Sequence, residues 1–135
     1  MTPAYLAHFA LTDVDAGSHR AVERSARGAA GLAGAEARPY RVWLADWSVT
    51  GADDGSLRLM AATERFSLRL ALLPARAPVL QGDAGYSRKG PEPGNASYYY
   101  SLARLSAAGT VVVGGRPYRV EGLSWMDHEF STSAL

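Results

Sequence analysis

Ten consecutive residues, 122–131, carry the side chains of this chain that are best suited to proton chemistry. They include Trp125, Asp127 and Glu129, together with His128, one of only three histidines in the sequence. If this stretch is extended, the period of two places Trp125 and both carboxyl groups on one face and His128 on the other. An apolar wall raises the pKa of a carboxyl group and keeps it protonated at neutral pH, so an acid beside an indole is a candidate proton donor. The pattern leaves one alternative open, a strand end with two solvated carboxylates.

Composition narrows the classes of function that the chain can have. A length of 135 residues predicts one domain with a single hydrophobic core. The formal net charge is +1, and no run of basic and aromatic residues indicates a nucleic-acid partner. The lack of cysteine excludes a disulfide framework and thiolate chemistry, and it does not decide the compartment. No apolar run reaches the roughly 18 residues of a membrane span, so membrane contact is not indicated.

Alternating apolar and polar residues predict a series of short β-strands. The predicted strands cover 5–12, 40–50, 56–62, 64–73 and 96–106. A hairpin follows at 111–120, where Gly114-Gly115 supplies the turn. One apolar and one polar face on a strand are typical of an antiparallel sheet. The sequence therefore predicts an all-β antiparallel barrel or sandwich.

Two stretches lack this alternation and are predicted as long irregular loops. The first, Asp13–Arg38, is rich in Ala, Gly and Arg, with at most a short helix near Ser18–Arg27. A loop of this length is a candidate lid over the mouth of a cavity. The second, Pro74–Gly94, contains four prolines that stiffen it. A shorter turn is predicted at Ala107–Gly109, just before the hairpin.

Aromatic side chains on two predicted strands are candidates for lining a ligand site. Trp43 and Trp47, four residues apart on one strand, would share a face, either as a core wall or as the lining of an apolar pocket. Tyr98 and Tyr100 share a face of the tyrosine-rich strand. Pairing of that strand with a neighbour could bring either phenol close to Asp127, in a register that the sequence does not fix.

Four motifs together give the sequence a family resemblance. They are Gly31-Leu32-Ala33-Gly34-Ala35, Val79-Leu80-Gln81-Gly82-Asp83-Ala84-Gly85-Tyr86-Ser87, Ala96-Ser97-Tyr98-Tyr99-Tyr100-Ser101 and Gly122-Leu123-Ser124-Trp125-Met126-Asp127-His128-Glu129-Phe130. In this order and spacing, which covers most of the chain, the sequence resembles the AttH/CrtC-like family. This family of lipocalin-like proteins includes carotenoid 1,2-hydratases and predicted secreted hydrolases.

The resemblance implies a lipocalin-like fold, a bacterial protein that is periplasmic or secreted, and two consecutive β domains. Residues 1–135 would form a single lipocalin-like domain, the first of the two, with the second domain as its partner. In the hydratases, an acid at the position that resembles Asp127 is proposed to protonate a carbon–carbon double bond, after which water captures the cation. Aromatic residues near the positions of Tyr98, Tyr100 and Trp125 are thought to line that site.

Three hypotheses for function follow from these residues. The first is a hydratase (a lyase) or a hydrolase that needs no cofactor, with Asp127 as the acid and Glu129 or His128 orienting the water. Its substrate would be a hydrophobic isoprenoid or lipid. The residues predicted to line the substrate site are Trp125, Tyr98, Tyr100, Trp43 and Trp47. The second is a non-catalytic module that binds a lipid or isoprenoid in the same cavity. The third is structural, with both carboxylates paired to arginines such as Arg104 or Arg119.

Two further kinds of site find little support in the sequence. His8, His19 and His128 are too scattered to indicate a metal site, so no metal is predicted. His8 stands among apolar residues and is predicted to be a buried, hydrogen-bonded histidine. A serine hydrolase is disfavoured because the sequence has no Gly-x-Ser-x-Gly motif. The predicted partner is accordingly a hydrophobic small molecule.

Overall fold

Within residues 2–132, the part of the chain that the computed structural model describes, the structure consists of eleven β-strands and no helix. The strands are β1 (Ala4–Asp13), β2 (Ser18–Arg27), β3 (Ala33–Ala37), β4 (Tyr40–Leu44), β5 (Trp47–Gly51), β6 (Leu57–Ala62), β7 (Phe66–Pro74), β8 (Val79–Leu80), β9 (Tyr86–Arg88), β10 (Ala96–Val113) and β11 (Arg116–Phe130). The predicted fold class, an antiparallel all-β barrel or sandwich of the lipocalin-like type, is confirmed, and its sheets are open. None of the described residues belongs to a helix that could span a membrane.

The strands fall into two compact units. Unit 1 comprises Met1–Leu72 and Ala108–Glu121, and unit 2 comprises Leu73–Ala107 and Gly122–Leu135. The long strands β10 and β11 contribute to both units, because each of them crosses a boundary. Each unit has its own buried side chains.

The sheet of unit 1 has one apolar face and one polar face, as its alternating sequence dictates. Cross-strand pairing from β3 to β7 aligns an apolar row, which consists of Ala35, Val42, Val49, Leu59 and Leu70. The adjacent row on the opposite face consists of Glu36, Arg41, Thr50, Arg58 and Ala71. Because successive side chains alternate between faces, this pattern sets an apolar surface against a mostly hydrated one.

The hairpin of β1 and β2 packs against the apolar face within unit 1. Phe9 is buried, and its ring centroid lies 4.7 Å from that of Phe66 and 5.8 Å from that of Trp47. The contact with Trp47 is edge-on, a favoured geometry for aromatic pairs. Together with Ala61, these three rings form the core cluster of unit 1.

The structure corrects the prediction of a long loop with a short helix over Asp13–Arg38. β2 and β3 occupy most of this stretch, and β2 pairs with β1 along its whole length. The strand does alternate, but Arg24 occupies an inward position, where its guanidinium lies 4.3 Å above the Trp47 ring. The same guanidinium contacts Asp46 and donates to the carbonyl of Ala62 over 3.1 Å. An arginine that covers an aromatic ring hides the period of two, because its charge makes an inward position look polar.

A second correction concerns the predicted strand at 40–50, which is a hairpin of β4 and β5. The chain reverses at Ala45, whose φ of 54° lies in the left-handed region. The register pairs Leu44 with Trp47, so Trp43 and Trp47 lie on opposite faces of the sheet and not on one. The sequence hides this turn because Ala45 is neither glycine nor asparagine, the usual residues at positive φ.

The predicted turn at Ala107–Gly109 is also wrong, because β10 runs through it without interruption. Gly109 instead lets the backbone of β10 approach the carbonyl of Arg69, which a Cβ atom would strike. The hairpin predicted around Gly114-Gly115 does form, and it joins β10 to β11.

His8 is exposed, contrary to the prediction of a buried histidine. Its Nε2 lies 3.6 Å from Oε2 of Glu23, the residue paired with it on β2. The reason is the alternation of β1, which turns Phe9 inward and therefore His8 outward.

Unit 2 is built on the first part of β10, to which the short strands β8 and β9 are added. Leu80 pairs with Tyr100, and Tyr86 pairs with Tyr98. Outside these two short strands, Pro74–Gly94 is irregular, as its prolines predict. The most buried side chains that β10 contributes to unit 2 are Ser97, Ser101 and Leu105.

Candidate functional site

Asp127 lies on β11 in unit 2, where hydrogen bonds hold its carboxylate. The predicted extended conformation is confirmed, and Asp127 shares a face with Trp125. The Ser101 hydroxyl donates to Oδ1 of Asp127 over 2.5 Å, and the indole Nε1 of Trp125 donates to the same oxygen over 2.9 Å. These two donors, Ser101 first, hold the pKa of Asp127 below its usual range because they favour the charged form.

This arrangement contradicts the raised pKa that a proton donor needs. Asp127 is exposed, so desolvation raises its pKa less than its hydrogen-bond donors, led by Ser101, lower it. Hydrogen bonds to a charged acceptor are shorter and stronger than neutral ones, which fits the 2.5 Å contact. The structure therefore presents Asp127 as an oriented carboxylate at neutral pH.

Glu129, on the same face, is compensated by a cation. Its Oε1 accepts a hydrogen bond from the Ser97 hydroxyl over 2.6 Å and contacts the ammonium group of Lys89. Lys89, followed by Ser97, lowers the pKa of Glu129. The ammonium group also lies 5.4 Å from the ring centroid of Tyr99. The predicted ion pair thus exists for Glu129, with a lysine in place of an arginine.

Two buried serines of β10 supply hydroxyl groups that sequence analysis missed. Ser97 is 1% exposed and Ser101 is 0% exposed. Gln81, which follows β8, donates its Nε2 to Oγ of Ser101 over 2.9 Å. A signal was present in the sequence, since serines spaced by four around three tyrosines must share a face with Tyr99. Small hydroxyl residues at inward positions of a strand indicate polar partners across the sheet.

Tyr98, Tyr100 and His128 lie on the face opposite Asp127. The Tyr100 ring stacks on His128 with 5.1 Å between centroids, and the Tyr98 ring stacks on Phe130 with 5.5 Å between centroids. The predicted approach of Tyr98 or Tyr100 to Asp127 is therefore wrong. Tyr99, between them, is the tyrosine beside Asp127. The period of two puts Tyr99 on one face of β10 and Tyr98 and Tyr100 on the other. Which of these faces holds Asp127 depends on the pairing of β10 with its neighbour, which the sequence does not fix.

In unit 1, an apolar groove lies between β1 and the apolar row. Its volume is about 270 Å³. The residues that line it include Tyr5, Phe9, Val42, Trp47, Val49 and Leu59. Val42, Val49 and Leu59, the members of the row that line the groove, are half-buried, so its floor stays partly open to solvent.

The two tryptophans predicted to share a site occupy different places in unit 1. Trp47 is 5% exposed, belongs to the core cluster and donates its Nε1 to the carbonyl of Ala62 over 2.8 Å. Trp43 donates its Nε1 to the carbonyl of Gly31 over 2.9 Å, and its ring lies across Gly34, where a Cβ atom would collide with it. Both residues contribute atoms to the groove. Trp47 is therefore core wall, whereas Trp43 covers the edge strand β3.

The predicted site residues are not gathered at one surface. They divide into Trp125, Asp127 and Glu129 on one face of unit 2, Tyr98, Tyr100 and His128 on its other face, and Trp43 and Trp47 in unit 1. Among residues 2–132, no group of three or more His, Asp or Glu side chains is placed to hold a metal ion.

Comparison with known proteins places the chain beside one family. The profile of a family described as AttH-like matches residues 1–135. The crystal structure of a Nitrosomonas europaea protein assigned to AttH is similar to this chain, with a TM-score of 0.86 and 33% identity. The similarity covers 98% of this chain and 41% of that chain, so this chain spans less than half the length of its structural relative. A search of the curated proteins gives no match.

Proposed function

The chain belongs to the AttH-like family, and we propose that it is a lipocalin-like module that binds a hydrophobic ligand, an isoprenoid or a lipid, in the groove of unit 1. The observation that carries this proposal is the half-buried middle of the apolar row on the floor of the groove. Val42, Val49 and Leu59 stand side by side across three strands. Covering such a surface removes apolar area from water, which stabilises a bound apolar molecule by about 25 cal/mol per Å².

The lining of the groove supports a chain-like or flat ligand. Its volume of about 270 Å³ is close to the lower end of the range for small-molecule sites. Phe9 from the hairpin and Trp47 from the sheet both border it. Aromatic rings offer large, rigid apolar surfaces, which suit an unsaturated isoprenoid or an acyl chain.

A Val49→Phe variant tests this proposal, because the added ring fills the middle of the groove without adding charge. Thr50→Phe is its matched control, since the next residue along β5 points to the opposite face. Binding of farnesol and of palmitate is measured by quenching of tryptophan fluorescence and by native mass spectrometry. The wild type and Thr50→Phe should bind, and Val49→Phe should bind at least about tenfold more weakly. Equal affinities of the two variants, or no binding by the wild type, would remove the groove as the ligand site.

A second candidate function is hydration or hydrolysis of the same class of ligand at the Asp127 site. The observation in its favour is the contact between the Trp125 indole and the Asp127 carboxylate, which sets a ring beside the predicted acid. In this candidate Asp127 protonates the substrate and Glu129 orients the water, because His128, the other predicted residue for that role, lies on the opposite face. The lining residues are Trp125 and Tyr99, whereas the predicted Tyr98 and Tyr100 lie on the opposite face. Since hydrogen bonds, led by that from Ser101, lower the pKa of Asp127, the protonated form is scarce at neutral pH, and turnover should rise as the pH falls.

An Asp127→Asn variant separates the two candidates. It should abolish any addition of water to an isoprenoid double bond, seen as a mass gain of one water, and it should spare ligand binding in the groove. Asp46→Asn is the control, because Asp46 is a carboxylate of unit 1 whose pKa is also lowered, there by Arg24. Turnover that survives Asp127→Asn would exclude Asp127 as the acid, and a wild type without turnover would leave only the binding function.

The proposal also includes a partner from the same polypeptide. The Nitrosomonas europaea chain is matched over 41% of its length, which leaves room in that protein for the second lipocalin-like domain that the resemblance implies. We propose that such a domain contributes to ligand binding in longer members of the family. Comparing the affinity of the full Nitrosomonas europaea protein with that of its matched region checks this, and equal affinities would contradict it.

A further inference from the structure

We propose that Gln81 is a positioning residue for Asp127: acting through the buried hydroxyl of Ser101, it fixes the Asp127 carboxylate as a hydrogen-bond acceptor for an O–H group of a ligand or of water. The inference concerns the same site as the second candidate function and rests on that site being used, but its geometry is independent of turnover. It assigns a role to a residue of the irregular stretch between β7 and β10, which contains no residue predicted to act in the site.

The direction of the hydrogen bonds follows from the single hydrogen of the Ser101 hydroxyl. Oγ of Ser101 lies 2.5 Å from Oδ1 of Asp127 and 2.9 Å from Nε2 of Gln81. A carboxylate can only accept, so the hydroxyl hydrogen must point to Asp127. The amide of Gln81 must then donate into a lone pair of Oγ. The chain therefore runs one way, from Gln81 to Ser101 to Asp127.

Burial keeps the Ser101 hydroxyl in its hydrogen bonds with Gln81 and Asp127. Its side chain is 0% exposed, so water does not compete for either of its hydrogen bonds. An unmade hydrogen bond at a buried hydroxyl is costly, which keeps both neighbours in place. A hydroxyl that receives a hydrogen bond is polarised and donates more strongly. Gln81 thus strengthens a contact with Asp127 that it does not itself make.

The backbone of Gln81 is anchored where the relay needs it. Its N–H donates to the carbonyl of Tyr99 over 3.0 Å, and its own carbonyl accepts from the N–H of Gly85 over 3.0 Å. Gly82, the next residue, has a φ of 64°, and a Cβ atom there would collide with the carbonyl of Tyr86. The turn after β8 is therefore built to bring a glutamine side chain to the buried serine.

Glu129 provides an internal reference for this arrangement. Its buried serine, Ser97, donates to it directly, and its second partner is the charged Lys89. Asp127 receives donors without charge, Ser101 and Trp125. A neutral relay orients a carboxylate without cancelling its charge, which leaves Asp127 as the anion of the pair that can attract a ligand's donor.

The test follows the titration of both carboxyl groups by ¹³C NMR in the purified chain. Ser101→Ala should raise the titration midpoint of Asp127, because it removes the hydrogen bond that lowers this pKa most. Gln81→Met, which keeps the length of the side chain and removes its donor, should raise the same midpoint by a smaller amount. The double variant should titrate like Ser101→Ala alone, because a relay without its middle member transmits nothing. Ser97→Ala is the matched control and should move Glu129 alone.

Two results would overturn the inference. If Gln81→Met leaves the Asp127 titration at its wild-type midpoint, Gln81 only satisfies a buried serine. If the two single effects add in the double variant, the two residues act separately. Gln81→Glu is a second variant, for the case in which Gln81→Met does not fold. An ionised glutamate at this position competes with Asp127 for the Ser101 hydrogen, so it should raise the Asp127 midpoint more than Gln81→Met does. These outcomes do not depend on ligand binding or turnover, so failure of the proposed function would not imitate them.

Discussion

The two units of this protein bury different kinds of side chain. In unit 1 the buried cluster consists of the rings of Phe9, Trp47 and Phe66 with Ala61. In unit 2, Ser97 and Ser101 are as fully buried as Leu105 of the same strand, β10. The Tyr98 side chain is 57% exposed. Hydrophobic burial thus stabilises unit 1, while unit 2 keeps hydroxyl groups inside and rings outside.

The buried hydroxyl groups make unit 2 the better candidate for a chemical site. A buried hydroxyl is costly unless it is hydrogen-bonded, so a strand that places Ser97 and Ser101 inward needs acceptors across the sheet. Asp127 and Glu129 are those acceptors. Departures from the hydrophobic pattern concentrate at functional sites, and unit 2 departs from it at Ser97 and Ser101. The buried cluster of unit 1 follows the pattern, and Arg24 beside it is an inward exception.

The largest effect is expected when an aromatic residue is removed from each unit. Phe9→Ala should lower the free energy of unfolding by about 3–5 kcal/mol, because it leaves a cavity between Trp47 and Phe66. Phe130→Ala, on an exposed ring of unit 2, should cost less than about 1.5 kcal/mol. Urea unfolding followed by circular dichroism measures both values.

Equal losses in these two variants would break the comparison between the units. They would mean that the exposed rings of unit 2 are as important for stability as the core cluster. A change in the slope of the urea transition would signal a change in the exposed area and would have to be separated from a change in stability.

A glycine in each unit gives the next largest contrast. Gly34→Ala should cost about 1–3 kcal/mol, because its Cβ atom would meet the Trp43 ring that lies across β3. Gly122→Ala in unit 2 has open space around its Cβ position and should be nearly neutral. Thermal unfolding checks the two, and altered tryptophan fluorescence in Gly34→Ala should report the displaced ring. A neutral Gly34→Ala would show that the ring moves aside freely.

The sequence predicts the fold best where one rule decides it. β7 was predicted because apolar and polar residues alternate along most of its length. β2 was missed because Arg24 stands inward and takes its partners from residues distant in sequence, Trp47 and Asp46. The hairpin turn at Ala45 was missed because a long-range register imposes positive φ on a residue that does not favour it.

The candidate site divides in the same way. Local sequence made Asp127 and Glu129 candidates for chemistry, which stays a prediction, and it placed them correctly on one face with Trp125. The direction of their pKa shifts was not predictable, because it depends on donors from other segments. Gln81 reaches the site only through the turn after β8, and a sequence pattern does not encode that contact.

Removing one cation from each unit should produce a smaller and selective effect. Lys89→Met should raise the titration midpoint of Glu129, since Lys89 is the largest cause of its lowered pKa. Arg24→Met should raise the midpoint of Asp46 for the same reason and leave Glu129 unchanged. NMR titration of the carboxyl groups measures both. A shift of Glu129 in Arg24→Met would contradict the assignment of separate charge partners in the two units.

The smallest effect is the dependence of stability on acid, which should involve both units. Four carboxyl groups have a lowered pKa, and one partner is the largest cause in each case. The partners are Arg24 for Asp46, Ser56 for Asp54, Ser101 for Asp127 and Lys89 for Glu129. A carboxyl group whose pKa is lower in the folded state contributes stability above its ordinary pKa and loses it as the pH falls through the folded value. The urea midpoint should therefore be flat near pH 7 and should fall below about pH 4, the ordinary range of these groups.

Variants assign this acid dependence to the hydrogen-bonded carboxylates and not to the apolar groove. Asp127→Asn combined with Glu129→Gln should reduce the difference between the urea midpoints at pH 7 and pH 3, because amides do not titrate. Val49→Phe, which changes only the apolar row, should leave that difference at the wild-type value. If the groove variant changed the acid dependence as much as the carboxylate variant, the titrating groups would have to be coupled to the apolar face. The contrast between an apolar unit and a hydrogen-bonded one would then not hold.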